Sequence, residues 1–376
     1  MIPPGSRIGV MGGGQLGRMF ALAACRLGYR PHVFDPTPGG PAGQVADAEV
    51  NAPFTDETAL ERFARGVDAV TFEFENIPAP SLEALARVRP VHPSPETLLI
   101  CQNREREKTY LSGKGYPLAP FAVVDSVDSL RDAIETIGAP AVLKTASFGY
   151  DGKGQLKVDG ASDPEDLWRA FDAPRAVLEQ WIRHECELSV ICGGSPETGY
   201  TCFPAAENLH TRHILDYSVV PARIAPEIQN EGESIARSLA SDFKLRGLLA
   251  VEFFLPPDGK LLVNEVAPRP HNSGHYTFDA CVTSQFEQQV RTLCGLPPGS
   301  PRLLSPVVMV NLLGDLWNDF APDWSPILNE PAAKLHLYGK AEARPGRKMG
   351  HFCVLDPSPE AALKKALDIR SKLGIG

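Results

Sequence analysis

One hydrophobic core rarely supports 376 residues, so the chain is expected to fold as two or three domains. Its 37 basic and 46 acidic side chains leave a net charge of −9, which argues against general affinity for nucleic acid or an anionic membrane; any anionic ligand must meet a local basic cluster. No apolar run is long enough to span a bilayer and no charged start precedes one, so neither a membrane span nor a signal peptide is expected, and a cytoplasmic location is. The 8 cysteines include no Cys-x-x-Cys pair, which disfavours a zinc site or redox motif, and most of them read as buried thiols.

In chain order, residues 7–11 read as a strand, Gly12 to Gly17 as a tight turn, 18–27 as a helix and 31–34 as a second strand, a βαβ opening. The spacing Gly12-x-Gly14-x-x-Gly17 satisfies the dinucleotide fingerprint, and Asp35 stands where a ribose-binding acid would sit. Its physical content is narrower: backbone amides at a helix N-terminus can approach an anion. Residues 68–78 read as another strand, whose period of two sends Glu73 and Glu75 to one face and Phe72 and Phe74 to the other. Those acids end the strand where ligands bind in open α/β sheets; the alternative is an exposed strand end with solvated glutamates. Near 91–97 the pattern changes to a helix over 96–111, and a boundary is placed at 97.

The middle region reads as α+β, with strands over 139–144 and 176–182, a glycine-rich loop between 145 and 154, and a helix over 231–243. Phe148-Gly149-Tyr150-Asp151-Gly152-Lys153-Gly154-Gln155 could close over phosphates through its amides, with Lys153 supplying charge, or be a plain hairpin turn. It is not a Walker loop, since Gly-x-x-x-x-Gly-Lys-Ser/Thr is absent. Lys144 ends an apolar strand, where a lysine either snorkels to water or faces a phosphate; the glycine loop favours the phosphate. Residues 248–255 and 260–265 read as two strands joined by Pro256-Pro257-Asp258-Gly259, with Asp258-Gly259 as a two-residue tip. With 257 facing 260, that register places Glu252 opposite Glu265. Like charges at ~5 Å across a strand pair repel, unless a cation lies between them or one stays protonated. Mg²⁺ accepts such carboxylates together with substrate phosphates; an exposed, solvated hairpin is the alternative. Behind this hairpin, Asn264 to His275 concentrates polar groups and two prolines at a cost no core would bear, which suggests a site. A helix over 284–293 precedes a proline-rich stretch taken as a second boundary, and Lys340, Arg344, Arg347 and Lys348 form a basic cluster in an acidic chain, which by itself reads first as a solvated loop.

The ordered set Lys144, the glycine loop, Glu179-Gln180, Glu187, Glu252 and Asn264-Glu265 resembles an ATP-grasp enzyme, over nearly the whole chain. Within that superfamily, the segments Gly12 to Met19, Thr71 to Pro78, Phe148 to Gly154, Pro268 to His275 and Arg344 to His351 resemble the 5-(carboxyamino)imidazole ribonucleotide synthase family, ATP-dependent carboxylating enzymes of purine biosynthesis. The resemblance implies an α/β and α+β architecture. A Rossmann-like N-terminal parallel-sheet domain would occupy 1–97, an ATP-grasp domain 98–297 with a lid within 98–178, and a small C-terminal domain 298–376. It implies ATP, bicarbonate and 5-aminoimidazole ribonucleotide as substrates, Mg²⁺ with Mn²⁺ able to substitute, a homodimer, and no nucleic-acid or membrane partner.

Carried onto this sequence, Arg104 and Lys144 would bind ATP phosphates, covered by Gly149, Tyr150, Asp151, Gly152, Lys153, Gly154 and Gln155. Glu179, Gln180, Trp181 and Ile182 would hold adenine and Glu187 the ribose hydroxyls, with His210 nearby, while Glu252 and Glu265 match the magnesium ligands beside Asn264. Arg269 would hold the carboxyl group bidentately, and Asp151 with Tyr150 would handle the amine proton. Gln15, Leu16, Glu73, Glu75 and Asn76 would face the ribonucleotide. Lys340, Arg347 and Lys348, with His271, Asn272 and Ser273, would take its 5′-phosphate. Two departures from the family's pattern are Asn103, where aspartate is usual, and Ser147-Phe148 in place of a small pair. A dehydrogenase reading leaves the paired glutamates unexplained, and a formate-using transformylase would carry Asp-Thr where this chain has Asn272-Ser273.

Overall fold

The computed structural model describes residues 1–147, 154–317 and 321–375. Strands β1 (Arg7–Met11), β2 (Arg30–Phe34), β3 (Ala48–Val50) and β4 (Ala69–Phe72) form a parallel sheet in the order β3-β2-β1-β4. β4 is buried along its whole length, as expected of a parallel strand covered on both faces. The βαβ opening is present, with its helix starting at Gln15, directly after Gly14. β4 is shorter than expected and stops at Phe72, so Glu73 and Glu75 lie in the turn beyond it and the alternation of faces does not extend to them.

The helix expected over 96–111 is two helices, Pro95–Cys101 and Arg104–Gly113. Asn103 is extended (φ −133°, ψ 119°) and caps the second, its side chain accepting from the Arg106 amide at 3.0 Å. The Arg104 amide meanwhile donates to the Ala146 carbonyl at 2.8 Å, which ties this helix start to the strand bearing Lys144.

β5 (Phe121–Val124), β6 (Ala141–Thr145), β7 (Gln155–Val158) and β8 (Ala176–Gln180) make an antiparallel sheet ordered β5-β8-β6-β7. Leu130 and Ile137 of the helix Val127–Ile137, and Leu167 of the helix Pro164–Phe171, close its core against Leu143 and Leu178.

The largest sheet comprises β9 (Cys186–Ser195), β10 (Gly199–Cys202), β11 (Ala206–Thr211), β12 (Ile214–Val220), β13 (Gly247–Leu255), β14 (Leu262–Ala267), β15 (Val307–Leu313), β16 (Ala333–Leu337) and β17 (Lys348–Leu355). Its order is β14-β13-β9-β11-β12-β15-β17-β16, with β10 on β9. The C-terminal strands therefore continue the central sheet, through β12 and β15, instead of forming one of their own.

Glu252 does pair with Glu265, as expected, but by another route. The connection spans residues 256–261, not a two-residue tip, because two prolines there cannot donate to a ladder. A bulge between Glu252 and Phe253 then shifts the register and brings the two acids opposite each other.

Candidate active site

A cleft of about 520 Å³ is lined by residues of both antiparallel sheets, of the turn after β4 and of the start of the helix Gln15–Arg26, within the size range of small-molecule sites. On one side Glu179, at the end of β8 and 2% exposed, gathers three cations. Lys144 Nζ donates to it at 3.0 Å, Lys108 Nζ lies at 3.4 Å and Arg104 Nη1 at 3.7 Å. Burial would raise the Glu179 carboxyl, but these cations outweigh it and hold it at about 2. Its side chain is thus a counter-ion to these cations and also part of the cleft lining. The amides of Gln180 and Trp181 donate to the carbonyls of Pro120 and Pro140, and Gln180, Trp181 and Ile182 all line the cleft.

Glu265 lies 3.8 Å from Arg104 Nη2 and faces Glu252. Burial, and then the charge of Glu265, push Glu252 up. His271 Nε2 stands 3.1 Å from Glu252 Oε1. The pair fits a divalent cation that completes its shell from a ligand. Among the described residues no group of three or more His, Cys, Asp or Glu could hold a metal alone, and Mg²⁺ commonly binds one or two carboxylates plus phosphates. Behind them, Glu107 accepts from the Val266 amide at 2.8 Å, and the fully buried Lys108 donates to the Asn264 carbonyl at 2.8 Å. Sequence reasoning missed Glu107 and Lys108, because a helix opening Arg-Glu-Arg-Glu-Lys reads as solvated.

Toward the ribose position, Glu187 on β9 has His210 Nδ1 at 3.0 Å and His184 Nε2 at 3.6 Å. Burial opposes its ionisation, but His210, His184 and His213 together hold its carboxyl below the usual range. His184 also stacks on Phe254, ring centroids 4.8 Å apart. His184, His213 and Phe254 line the cleft without having been singled out from the sequence. Gly149, Tyr150, Asp151, Gly152 and Lys153 lie outside the described residues. Gly154 accepts from the Thr145 amide at 2.9 Å, and Gln155 lines the cleft.

The opposite wall carries Gln15, Leu16, Glu73, Glu75 and Asn76, as expected. Glu73, however, spends both carboxylate oxygens inside the protein, accepting from the Gly14 amide at 2.5 Å and the Gly17 amide at 2.6 Å. Asp35 accepts from the Gly13 and Thr37 amides at 2.7 Å each. The glycine fingerprint thus encloses an internal carboxylate where a dinucleotide would place its pyrophosphate. A Cβ at Gly14 would fall 2.5 Å from Glu73 Oε1. Arg269 Nη2 pairs with Glu75 Oε1 at 2.6 Å, and its buried Nε has no partner among the described residues.

Ser273, expected on a phosphate, is fully buried and hydrogen-bonded to Ser189 and His271, so it supports the site from within. Asn272 lines the cleft and donates to Asn311 at 3.0 Å. Of the basic cluster, Lys348 lines the cleft, whereas Lys340 and Arg347 lie on the adjoining loop and do not. Lys340 donates to the Lys348 carbonyl at 2.6 Å, and burial followed by the charge of Arg347 brings it down to about 8.

Three family descriptions match in tandem: the ribonucleotide synthetase preATP-grasp domain over 6–102, the ATP-grasp domain over 109–286 and the phosphoribosylaminoimidazole carboxylase C-terminal domain over 307–365. The N5-carboxyaminoimidazole ribonucleotide synthase of Bacillus subtilis (strain 168) is 46% identical, covering 94% of this chain and 93% of its own. A crystal structure of the ADP complex of N5-carboxyaminoimidazole ribonucleotide synthetase matches with a TM-score of 0.93 at 43% identity, over 98% of this chain and 97% of that one. The Aspergillus clavatus N5-carboxyaminoimidazole synthase, solved with ADP and 5-aminoimidazole ribonucleotide, matches with a TM-score of 0.90 at 30% identity, over 98% of each chain. The chain belongs to the N5-carboxyaminoimidazole ribonucleotide synthase family, ATP-dependent ligases of the ATP-grasp fold.

Proposed function

We propose that this chain carboxylates the exocyclic amine of 5-aminoimidazole ribonucleotide with ATP and bicarbonate, releasing ADP and phosphate. The observation that carries this reading is the single cleft shared by the Arg104, Lys144 and Glu265 wall and the Gln15, Glu75 and Arg269 wall. A relative aligned over 98% of this chain was solved with ADP and 5-aminoimidazole ribonucleotide together, which supports it.

Bicarbonate is a poor electrophile, because its carbon carries anionic character and hydroxide leaves badly. Attack of a bicarbonate oxygen on the γ-phosphorus of ATP releases ADP and gives carboxyphosphate, whose phosphate is a competent leaving group. Arg104 and Lys144, cations that line the cleft, would hold the phosphates in line. Glu252 and Glu265 would hold Mg²⁺, with Mn²⁺ able to substitute, to neutralise phosphate charge. Arg269 lines the cleft with Nη2 on Glu75 and Nη1 on the Pro270 carbonyl, so it is the guanidinium that would hold the transferable carboxyl group. The amine then forms its bond to the carboxyl carbon, phosphate departs, and the amine proton passes to Asp151 beside Tyr150. Lys348 is the basic residue already at the cleft for the 5′-phosphate, with Lys340 and Arg347 on the loop behind it. A cytoplasmic homodimer completes the proposal, with a domain boundary near 97 and a second family segment that begins after 297 within the continuous central sheet.

The test is ADP release, measured with 5-aminoimidazole ribonucleotide and bicarbonate and then with glycinamide ribonucleotide and formate. Stimulation by the first pair is expected; stimulation by the second alone removes the assignment.

A further inference from the structure

A two-residue loop joins β11 to β12, with Thr211 paired to Ile214 and Arg212 and His213 at its tip. Both tip residues lie in the left-handed region, at φ 53° and 65°. Loops of this shape are ordinarily Asn-Gly or Asp-Gly, because a Cβ at either position crowds the backbone. The hairpin itself gains nothing from two long side chains there. Backbone held in this region clusters at ligand sites, where the surroundings over-determine it.

His213 lines the cleft beside Glu187 and His210. In the same hairpin a bulge between Leu209 and His210 accompanies the approach of His210 to Glu187, as bulges near active sites re-aim side chains. One ring nitrogen of each neighbouring imidazole already faces a protein oxygen. His210 Nδ1 lies 3.0 Å from Glu187, and His184 Nδ1 is 3.1 Å from the Ile182 carbonyl. The exposed ring of His213 has no hydrogen-bonding partner among the described residues.

Resting on the proposed ATP site, we infer that His213 is a specificity contact for the nucleotide sugar: its imidazole hydrogen-bonds a ribose hydroxyl alongside Glu187, and the left-handed turn is retained to present it. Replacing the tip with the residues its geometry favours, Arg212→Asn with His213→Gly, separates this from a structural role. The double variant folds and melts roughly 2–4 °C higher, as relief of two left-handed side chains implies. Calorimetric titration with ATP and with 2′,3′-dideoxy-ATP reads the contact itself. The Kd for ATP rises about 5- to 10-fold, the loss expected for one hydrogen bond, while that for the dideoxy analogue is unchanged. A double variant that keeps the wild-type ratio of the two Kd values overturns the contact, whatever its melting temperature. Wild-type protein that binds ATP yet does not distinguish the dideoxy analogue overturns it too and leaves the proposed function standing. Wild-type protein that binds no ATP removes the proposed function first, and the contact with it.

Discussion

Both oxygens of Glu73 are used up on the amides of Gly14 and Gly17, at the start of the helix Gln15–Arg26. The fingerprint Gly12-x-Gly14-x-x-Gly17 was legible as an anion cradle; that its anion is a side chain 56 and 59 residues away was not, because no local spacing encodes it. Glu73→Gln keeps the shape but gives one amide a donor to face, so it should cost about 1–3 kcal/mol, read as a lower denaturant midpoint at unchanged m-value. Glu179 makes a pH-dependent case. Its folded pKa is depressed, so its contribution is fully present above about pH 4.5 and is lost as pH falls towards about 2. The shift corresponds to about 3 kcal/mol. Glu179→Gln should therefore destabilise the protein strongly at pH 7, with the gap to wild type narrowing through that acid window. A gap that stays constant from pH 7 to pH 3 would refute the ion-pair account.

At the scale of elements, the break between the helices Pro95–Cys101 and Arg104–Gly113 shows what apolar periodicity misses. The residues around Gln102 and Asn103 have ordinary helical propensities, and only the cap reveals the interruption that delivers Arg104 to the cleft. The two departures from the family's pattern also meet here: Asn103 Nδ2 donates to Ser147 Oγ at 2.9 Å while Asn103 Oδ1 caps the second helix. Asn103→Asp should be close to neutral, since the Ser147 hydroxyl can reverse and donate. Asn103→Ala should cost about 1 kcal/mol for the cap and raise the KM for ATP more than that for the ribonucleotide; equal rises would argue against a link to Arg104. The hairpin β13–β14 teaches the converse. The facing glutamates were read correctly from a turn of the wrong length, and the bulge compensated for the error.

Across the whole molecule, the proline-rich stretch near 297 marked a boundary in the sequence, yet the sheet runs straight through it. Val308 faces Val219 and Val310 faces Tyr217, strand pairs some ninety residues apart that no local pattern could disclose. The C-terminal strands also back the substrate loop. Asn272 donates to Asn311, and His275 is buried against Tyr338 and His351, with ring centroids 6.1 and 5.0 Å away. Removing 298–376 would strip β15 from β12 and leave an unpaired apolar edge, the arrangement that promotes aggregation. It would also open the core where Val219, Val308, Phe352 and Ile369 pack together. If sheet continuity governs folding, residues 1–297 should elute as aggregate on gel filtration and fail to bind ATP, and the full chain should lose its central and C-terminal structure in one transition. A truncated chain that is free of aggregate, melts cooperatively and keeps its affinity for ATP would show that the C-terminal strands are an appendage and that the central sheet is complete at β12.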